Sequence, residues 1–246
     1  MHYLYVKAPV SYHPETVTSW PEWFGRLLPA LFLSAGLFLL SSAIVPIAYY
    51  QLFSSPRIAK LAKPVQDDFL VSQPKPETEV LGQTAVLDMS QPSNWFHSAP
   101  RFLPRPSKIT HYTLSIPKLG IKNAIVQIGG EDLKKTLIQY EGTAFPGQFG
   151  NTVIFGHSAL PQFFSPTNYV SIFSTLPSLK KKDVVLIDFD GVGYKYVITN
   201  IFEVEPDDIS VLEQRFDDSY LTLVTCVPPG TYLRRLIVEG HLAFQE

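Results

Sequence analysis

The most restrictive feature of this sequence is a series of seven short apolar runs within residues 107–246. Each run is rich in β-branched or aromatic residues, and turns that contain proline or glycine separate most of them. The runs cover residues 111–116, 121–128, 151–155, 183–188, 194–205, 220–226 and 236–242. Short strands at this spacing predict an all-β domain that closes, or nearly closes, into a barrel. Short helices are predicted in three connections, over residues 131–139, 170–176 and 207–214.

A long uncharged stretch precedes this domain. Residues 27–55 contain no Asp, Glu, Lys or Arg, and residues 27–50 are long enough to cross a bilayer as one helix. The sequence therefore predicts an N-terminal segment over residues 1–26 and a transmembrane helix over residues 27–50. A cleaved signal peptide is the alternative, but the 26 preceding residues and the length of the run favour a retained anchor.

Residues 51–106 have the composition of a stalk. Residues 56–106 contain eight prolines, charges of both signs and no sustained period of 2 or 3.6. A segment of this kind does not bury enough apolar surface to fold alone, so we expect a semi-extended linker. Asn94-Trp95-Phe96 is its one apolar point. We expect Trp95 to lie partly buried against the domain surface, the alternative being a segment that lies over a cleft.

The only cysteine of the chain, Cys226, ends one of the predicted strands in the sequence Thr222-Leu-Val-Thr-Cys226. Pro228-Pro229-Gly230 stops that strand abruptly, which holds the thiol in place at its end. An unpaired cysteine is most often a small buried hydrophobe. Two other strand ends favour a nucleophile instead: Gly156-His157 ends a second run, and Arg234-Arg235 opens a third. A catalytic thiolate requires such imidazole and guanidinium partners.

These residues resemble the sortases, which are membrane-anchored cysteine transpeptidases. The resemblance rests on TLVTC, on a Gly-His 69 residues upstream of the cysteine and on an Arg nine residues downstream of it. It extends over roughly residues 108–243. It implies an eight-stranded barrel of the sortase type, with the sortase catalytic domain at residues 107–246.

The resemblance also implies a role for each residue. Cys226 would be the nucleophile that forms an acyl thioester, His157 the general acid and base, and Arg235 the group that stabilises the oxyanion. Arg234 is the alternative to Arg235, because adjacent residues of a strand face opposite ways. Thr225 is a weaker candidate that we expect to pack or hydrogen-bond locally. We expect the substrate groove within residues 158–177 and 194–208.

Substrates and location follow from the same resemblance. Sortases cleave an LPxTG-like C-terminal sorting signal after its Thr and join the protein to an amine acceptor, such as a cell-wall precursor or a pilin lysine. We therefore expect a single-pass protein of the cell membrane with an extracellular catalytic domain. Two Lys or Arg residues lie just before the apolar run and three just after it, so the positive-inside rule weakly favours the reverse orientation. A difference of one charge does not outweigh the resemblance. One predicted anchor is less typical of the pilin-polymerising sortases. Some of those sortases have a lid with an Asp-Pro-aromatic motif, which the stalk lacks, so no lid is predicted here.

Other classes fit less well. The net charge of −2 and the absence of a basic stripe give no case for nucleic acid. No cofactor or metal motif stands out. Calcium is a weak expectation from acidic residues in predicted loops and strand edges, namely Glu131, Asp132, Glu203, Glu205, Asp207 and Asp208. The alternative function is a catalytically inactive membrane-tethered barrel that serves as an interaction module. An L,D-transpeptidase is disfavoured because its compact Ser-x-Gly-Cys motif is absent.

Overall fold

The computed structural model describes residues 22–54, 88, 90–95 and 109–243, with side chains of the first helix from residue 27. Helix α1 spans Glu22–Tyr49, and a π-helical turn follows over Tyr50–Ser54. Leu27–Ser54 has a mean hydropathy of 2.2 and is a candidate membrane span by length and composition. The chain forms two compact units, Met1–Ser42 and Ala43–Glu246, so the last turns of α1 belong to the second unit.

The strands are β1 (His111–Ile116), β2 (Ile121–Ile128), β3 (Leu137–Gln139), β4 (Gly150–Phe155), β5 (Val184–Phe189), β6 (Val192–Val204), β7 (Ser219–Val227) and β8 (Arg234–Leu242). These eight strands close into a barrel in the order β1-β2-β3-β4-β7-β8-β6-β5. The predicted all-β barrel is confirmed. Two pairs of neighbours are parallel, β2 with β3 and β4 with β7, and the other pairs are antiparallel.

The connections differ from two of the three predicted helices. Residues 131–139 contain turns followed by strand β3, and residues 170–176 form turns, so both helix predictions are wrong. The third prediction, over residues 207–214, is confirmed as a shorter 3-10 helix, Ile209–Leu212. The Asp208 side chain caps this helix by accepting a hydrogen bond of 3.0 Å from the backbone N–H of Ser210.

Two apolar clusters lie on opposite faces of the central strands. All eight strands contribute side chains to the first cluster, which therefore fills the inside of the barrel. The second cluster lies outside β4, β7 and β8, and the connection between β6 and β7 covers it with Val211 and Leu212. Because successive side chains of a strand alternate between its faces, Leu223 points into the barrel while Val224 and Cys226 join the outer cluster.

Candidate active site

Cys226 lies one residue from the end of β7, a strand in which all nine residues are buried. Its side chain is only 1% exposed and packs in the outer cluster. Burial raises the pKa of the Cys226 thiol to about 11, and the positive charge of Arg235 acts in the opposite direction. The thiol is therefore protonated at neutral pH in this state of the protein.

Arg235 is the direct partner of Cys226 in the antiparallel register of β7 and β8. Two main-chain oxygens hold its guanidinium, because Nη1 donates to the carbonyl oxygens of Tyr232 at 3.1 Å and of Arg234 at 3.4 Å. The Nε atom is buried and has no hydrogen-bond partner among the described residues. Burial lowers the pKa of Arg235, and Cys226 partly offsets this. A buried cation paired in register with Cys226 thus keeps one N–H donor that no described residue engages.

Arg234 lies on the opposite face of β8. Its side chain is half-exposed and engaged with two carboxylates: Nη2 lies 3.2 Å from Glu205 Oε1, and Nε lies 3.7 Å from Glu203 Oε2. Arg234 pairs with Val227 in the register of the two strands. The structure thus brings Arg235 to Cys226 and directs Arg234 away from it.

His157 follows the end of β4, which runs parallel to β7 with Phe155 opposite Val224. The Gly156 N–H donates to the carbonyl of Val224 at 3.1 Å, which extends this pairing toward the thiol. Two hydroxyl groups join the strand ends further. Thr225 Oγ1 donates to the Gly156 carbonyl at 2.8 Å, and Ser158 Oγ donates to the Cys226 carbonyl at 2.7 Å. The residues on both sides of His157 are therefore bonded to the strand that carries Cys226.

Gly156 is required by close packing rather than by backbone conformation. A Cβ atom at this position would overlap the ring of Phe173 and lie 2.7 Å from a methyl carbon of Leu137. Any other residue would therefore require Phe173, Leu137 or the backbone before His157 to shift. The Gly-His pair of the sequence thus has a physical reason in the fold.

The charges around His157 come from two segments outside the strands. Burial lowers the pKa of the imidazole, and Lys134 lowers it further, whereas Asp88 and Asp132 raise it. His157 is therefore neutral at pH 7, as the thiol is. Asp88 precedes the barrel by more than twenty residues and lies in the predicted stalk, so sequence spacing gave no signal for its position near the imidazole.

Trp95 covers the pair formed by Cys226 and Arg235. Its side chain is 0% exposed and shares the outer cluster with Cys226. Its ring lies 5.1 Å from Cζ of Arg235, a cation–π distance, and 5.5 Å from the ring of Phe155 in an edge-to-face arrangement. Trp95 was expected to be only partly buried on the domain surface; instead the alternative, a segment over the cleft, describes its position.

The described residues around Trp95 are tied to the loop before β3. The Ser90 carbonyl accepts a hydrogen bond of 3.0 Å from the N–H of Leu133, and Ser93 Oγ donates to Glu131 Oε2 at 2.8 Å. We call residues 88 and 90–95 the cover segment. The cover segment interacts with two residues of the site: Asp88 raises the pKa of His157, and the ring of Trp95 packs on Arg235.

Comparison with known proteins identifies the family. A model of the Sortase domain matches residues 114–243, more than half of the 246 residues. The chain belongs to the sortase family. Its closed barrel of eight strands is of the sortase type.

Relatives with sequence similarity include two enzymes named sortase A. The one from Staphylococcus aureus (strain NCTC 8325 / PS 47) is 28% identical over 177 residues, which cover 67% of this chain and 78% of that protein. The one from Bacillus anthracis is 29% identical over 132 residues, 52% of this chain and 58% of that protein. The chain thus spans somewhat less than two thirds of the B. anthracis enzyme. The crystal structure of sortase C-1 from Actinomyces oris superposes with a TM-score of 0.50 and 25% identity, covering 56% of this chain and 77% of that one.

Other candidate residues of this sortase lie elsewhere or have partners. His241 is at the far end of β8, where Nδ1 lies 3.1 Å from Asp218 Oδ2. Two of the acidic residues considered for calcium, Glu203 and Glu205, face Arg234, and Asp132 Oδ2 lies 3.0 Å from Lys135 Nζ. In the part of the chain that the structure describes, no group of three or more His, Cys, Asp or Glu side chains is arranged to hold a metal ion. The expectation on calcium stays a prediction.

Sequence reasoning missed Asp88, placed Ser158 only within the predicted groove range, and gave the observed position of Trp95 only as an alternative. Ser158 bonds the Cys226 carbonyl and adjoins the Gly-His pair, so its position in the sequence was a usable signal. Asp88 carried no such signal, because a proline-rich composition does not reveal where a segment folds back. Val204, in the predicted groove range 194–208, shares the outer cluster with Cys226.

Proposed function

We propose that this chain is a membrane-anchored sortase that cleaves an LPxTG-like C-terminal sorting signal through a thioester on Cys226 and transfers the new acyl end to an amine of the cell envelope. The observation that carries the proposal is the direct pairing of Cys226 with Arg235, whose buried Nε–H has no partner among the described residues. A donor in that state is suited to an oxygen that becomes negatively charged during the reaction.

The first half of the reaction starts with the Cys226 thiol and the His157 imidazole both neutral. As the sulfur of Cys226 attacks the Thr carbonyl carbon of the signal, its proton passes to the imidazole of His157, and the carbonyl electron pair moves to the oxygen. The guanidinium of Arg235 donates to that oxyanion, an effect of about 3–4 kcal/mol for one donor in a dry site. The intermediate collapses, the C–N bond breaks, and the imidazolium gives its proton to the departing amine.

The second half reverses these steps with a different amine. The incoming amine attacks the thioester carbonyl and loses a proton to His157, a new C–N bond forms, and the C–S bond breaks. The imidazolium then returns the proton to the sulfur, so the enzyme regains its starting state. A site sheltered from water favours the amine over hydrolysis.

The cover segment implies a further requirement. With Trp95 wholly buried on Arg235, and with Cys226 only 1% exposed, a peptide carbonyl has no access to the sulfur. We propose that the cover segment moves aside before the substrate binds. This local opening would break the hydrogen bonds from the N–H of Leu133 and to Glu131 Oε2.

Location follows from the apolar span. We propose that α1 anchors the protein in the cell membrane as a single span, with the domain of residues 107–246 outside the cell and residues 1–26 inside. The uncharged composition of Leu27–Ser54 supports the anchor, and sortase substrates at the cell envelope support the outward orientation.

One observation favours the alternative of an inactive interaction module. A thiol whose pKa is raised to about 11 by burial is a poor nucleophile at neutral pH. If the cover segment never opened, Cys226 would be an inert core residue. The test therefore has to separate a covered enzyme from an inert barrel.

The test uses the full chain in detergent micelles, because a fragment that begins near residue 108 would lack Trp95. The protein is incubated with a mixed library of LPxTG-like peptides and several amines, and acyl adducts are detected by intact mass. We expect an adduct on the wild type, none on Cys226→Ala, and little on His157→Gln. His241→Gln is the matched control, since His241 lies at the far end of β8.

Two results would contradict the proposal. If the wild type formed no adduct with any peptide and Cys226 also resisted alkylation in Trp95→Ala, the inactive module would be the better description. If Cys226→Ala still processed the peptides, the nucleophile would be another residue. The peptide consumed would in addition identify the sorting signal.

A further inference from the structure

The end of the apolar span is fixed to the barrel next to the catalytic strands. Tyr50, directly after α1, is only 5% exposed and packs with the core of the barrel. Its hydroxyl donates to Glu203 Oε1 at 2.7 Å, and the other oxygen of Glu203 faces Arg234. This contact lies within the second compact unit, which begins at Ala43. Tyr50, at the end of the apolar span, therefore contacts the barrel through Glu203, which also faces Arg234, the neighbour of Arg235 in β8.

A cavity of about 400 Å³ opens where the span meets the barrel. The end of the span contributes Tyr49, Tyr50 and Ser54 to its wall, and two barrel loops contribute Pro161 and Pro229. Pro161 comes four residues after His157, and Pro229 comes three residues after Cys226. The loops that leave the two catalytic strand ends thus face the residues where the apolar span ends.

The same two loops expose large apolar side chains. Phe163 is 64% exposed, Tyr232 51% and Leu233 59%. The loops touch each other, because a Cβ atom on Gly230 would lie 3.0 Å from Cγ of Leu160. Single exposed apolar residues are ordinary, but a group of them on adjoining loops marks an interaction surface. We call Phe163, Tyr232 and Leu233 the apolar rim.

We propose that the apolar rim contacts the interface of the bilayer in which α1 is anchored, so that the active site is held at the membrane surface. The inference rests on the proposed anchoring. Aromatic residues prefer the depth of the lipid headgroups, and the span itself continues as apolar residues through Leu52 and Phe53 beside the cavity. Residues 180–182, three exposed lysines, follow Ser178 of the cavity wall and suit the negative charge of anionic lipid headgroups.

The direct test is a depth measurement on the full chain in liposomes that contain anionic lipid. Spin labels are placed one at a time through Phe163→Cys, Tyr232→Cys and Leu233→Cys in a Cys226→Ala background. Leu37→Cys in α1 marks the lipid, and Asp188→Cys, near the far end of the barrel, marks water. We expect the rim labels to collide with oxygen in preference to a water-soluble nickel chelate by several-fold more than the Asp188 label does.

Each of the other outcomes overturns the proposed rim contact, and the outcomes differ in whether they also contradict the proposed membrane anchor. Rim labels that behave as the Asp188 label does, with the Leu37 label in lipid, leave the anchor intact and remove the rim contact. A Leu37 label in water removes both. Rim labels shielded from both reagents, with dipolar broadening between them, mean that a second copy of the chain covers the rim.

A kinetic test separates this inference from the proposed reaction. Leu233→Ser, which lies outside the predicted substrate groove, and the wild type are compared in liposomes with one LPxTG-like peptide supplied in two forms, free in solution and tethered to a lipid. We expect the variant to acylate about fivefold more slowly with the tethered peptide and within about twofold of wild type with the free one. Equal effects on the two forms would exclude the rim contact, whereas absence of any adduct on the wild type would count against the reaction itself.

Discussion

The ring of Trp95 lies 5.1 Å from the guanidinium carbon of Arg235, so a residue from outside the barrel packs against the cation that faces Cys226. The contact excludes water from the thiol and places an aromatic face where a peptide would have to enter. Access to the site and the ionisation of the thiol are consequently controlled by the same side chain.

Removing that side chain should expose the thiol. We expect Trp95→Ala to increase the rate of alkylation of Cys226 by iodoacetamide at pH 7.5 at least tenfold, because burial is the main cause of the raised pKa of Cys226. Phe216→Ala is the control, since Phe216 is an exposed aromatic residue of the β6–β7 connection. Equal rates in the wild type and in Trp95→Ala would mean that the thiol is already accessible and that Trp95 is not a cover.

Arg235 and Arg234 offer a matched pair of substitutions. We expect Arg235→Lys to lower kcat/KM for the peptide about 10²–10³-fold, the usual effect of losing one donor to an oxyanion. Arg234→Lys should stay within about threefold of wild type, because its side chain faces Glu203 and Glu205 on the other side of β8. Steady-state kinetics on the two variants shows which arginine donates to the oxyanion. A larger loss in Arg234→Lys than in Arg235→Lys would assign that role to Arg234.

Asp88 should affect the titration of His157. The carboxylate of Asp88 stabilises the imidazolium, so Asp88→Asn should lower the pKa of His157 further below its usual value. NMR titration of the imidazole resonances measures this shift directly. Asp190→Asn, in the turn between β5 and β6, provides the control. A His157 pKa that did not move in Asp88→Asn would show that the cover segment lies away from the imidazole in solution.

The thiol itself should titrate near pH 11. Its folded-state pKa exceeds the value of an unfolded cysteine, so the unfolded chain loses this proton first and stability falls as pH rises from about 9 toward 11. The thiolate absorbance near 240 nm, taken as wild type minus Cys226→Ala, gives the midpoint. The melting temperature of wild type should also fall more steeply than that of Cys226→Ala in this range. A midpoint at or below 8.5 would mean that the buried state is not the resting one.

Gly156→Ala should destabilise the protein by about 1–3 kcal/mol, since the added methyl overlaps Phe173 and Leu137. Gly193→Ala is the matched control, because a Cβ atom there meets nothing within 4 Å. Thermal unfolding of both variants in the same detergent measures the difference. Similar melting temperatures would show that the turn before His157 has room to adjust.

Sequence patterns predicted the barrel well because its strands carry strong local signals. The predicted runs at 111–116 and 121–128 coincide with β1 and β2, and the others agree within two residues at each end. Strand β3 escaped notice because three residues are too few to show a period. Its neighbours Glu131 and Lys134 instead suggested a helix by composition alone.

The position of a side chain in the site could be predicted where it follows from a single strand. It could not be predicted where it depends on contacts between distant parts of the chain. The alternation of side chains indicated that only one of Arg234 and Arg235 would reach Cys226, and the register of β7 and β8 places Arg235 there. The burial of Trp95 depends on a cluster assembled from several parts of the chain. No local pattern in residues 51–106 encodes that contact.

The hydrogen bonds from Thr225 to Gly156 and from Ser158 to Cys226 join two parallel strand ends on either side of the thiol. Groups that exchange a proton gain most when their separation does not fluctuate, whereas a channel for a peptide must open and close. A single segment cannot both keep the reacting groups at a fixed separation and open to admit a peptide. In the proposed reaction the fixed geometry belongs to β4 and β7 and the opening belongs to the cover segment, so substitutions in the cover segment can change how often the site opens without altering the geometry of the reacting groups.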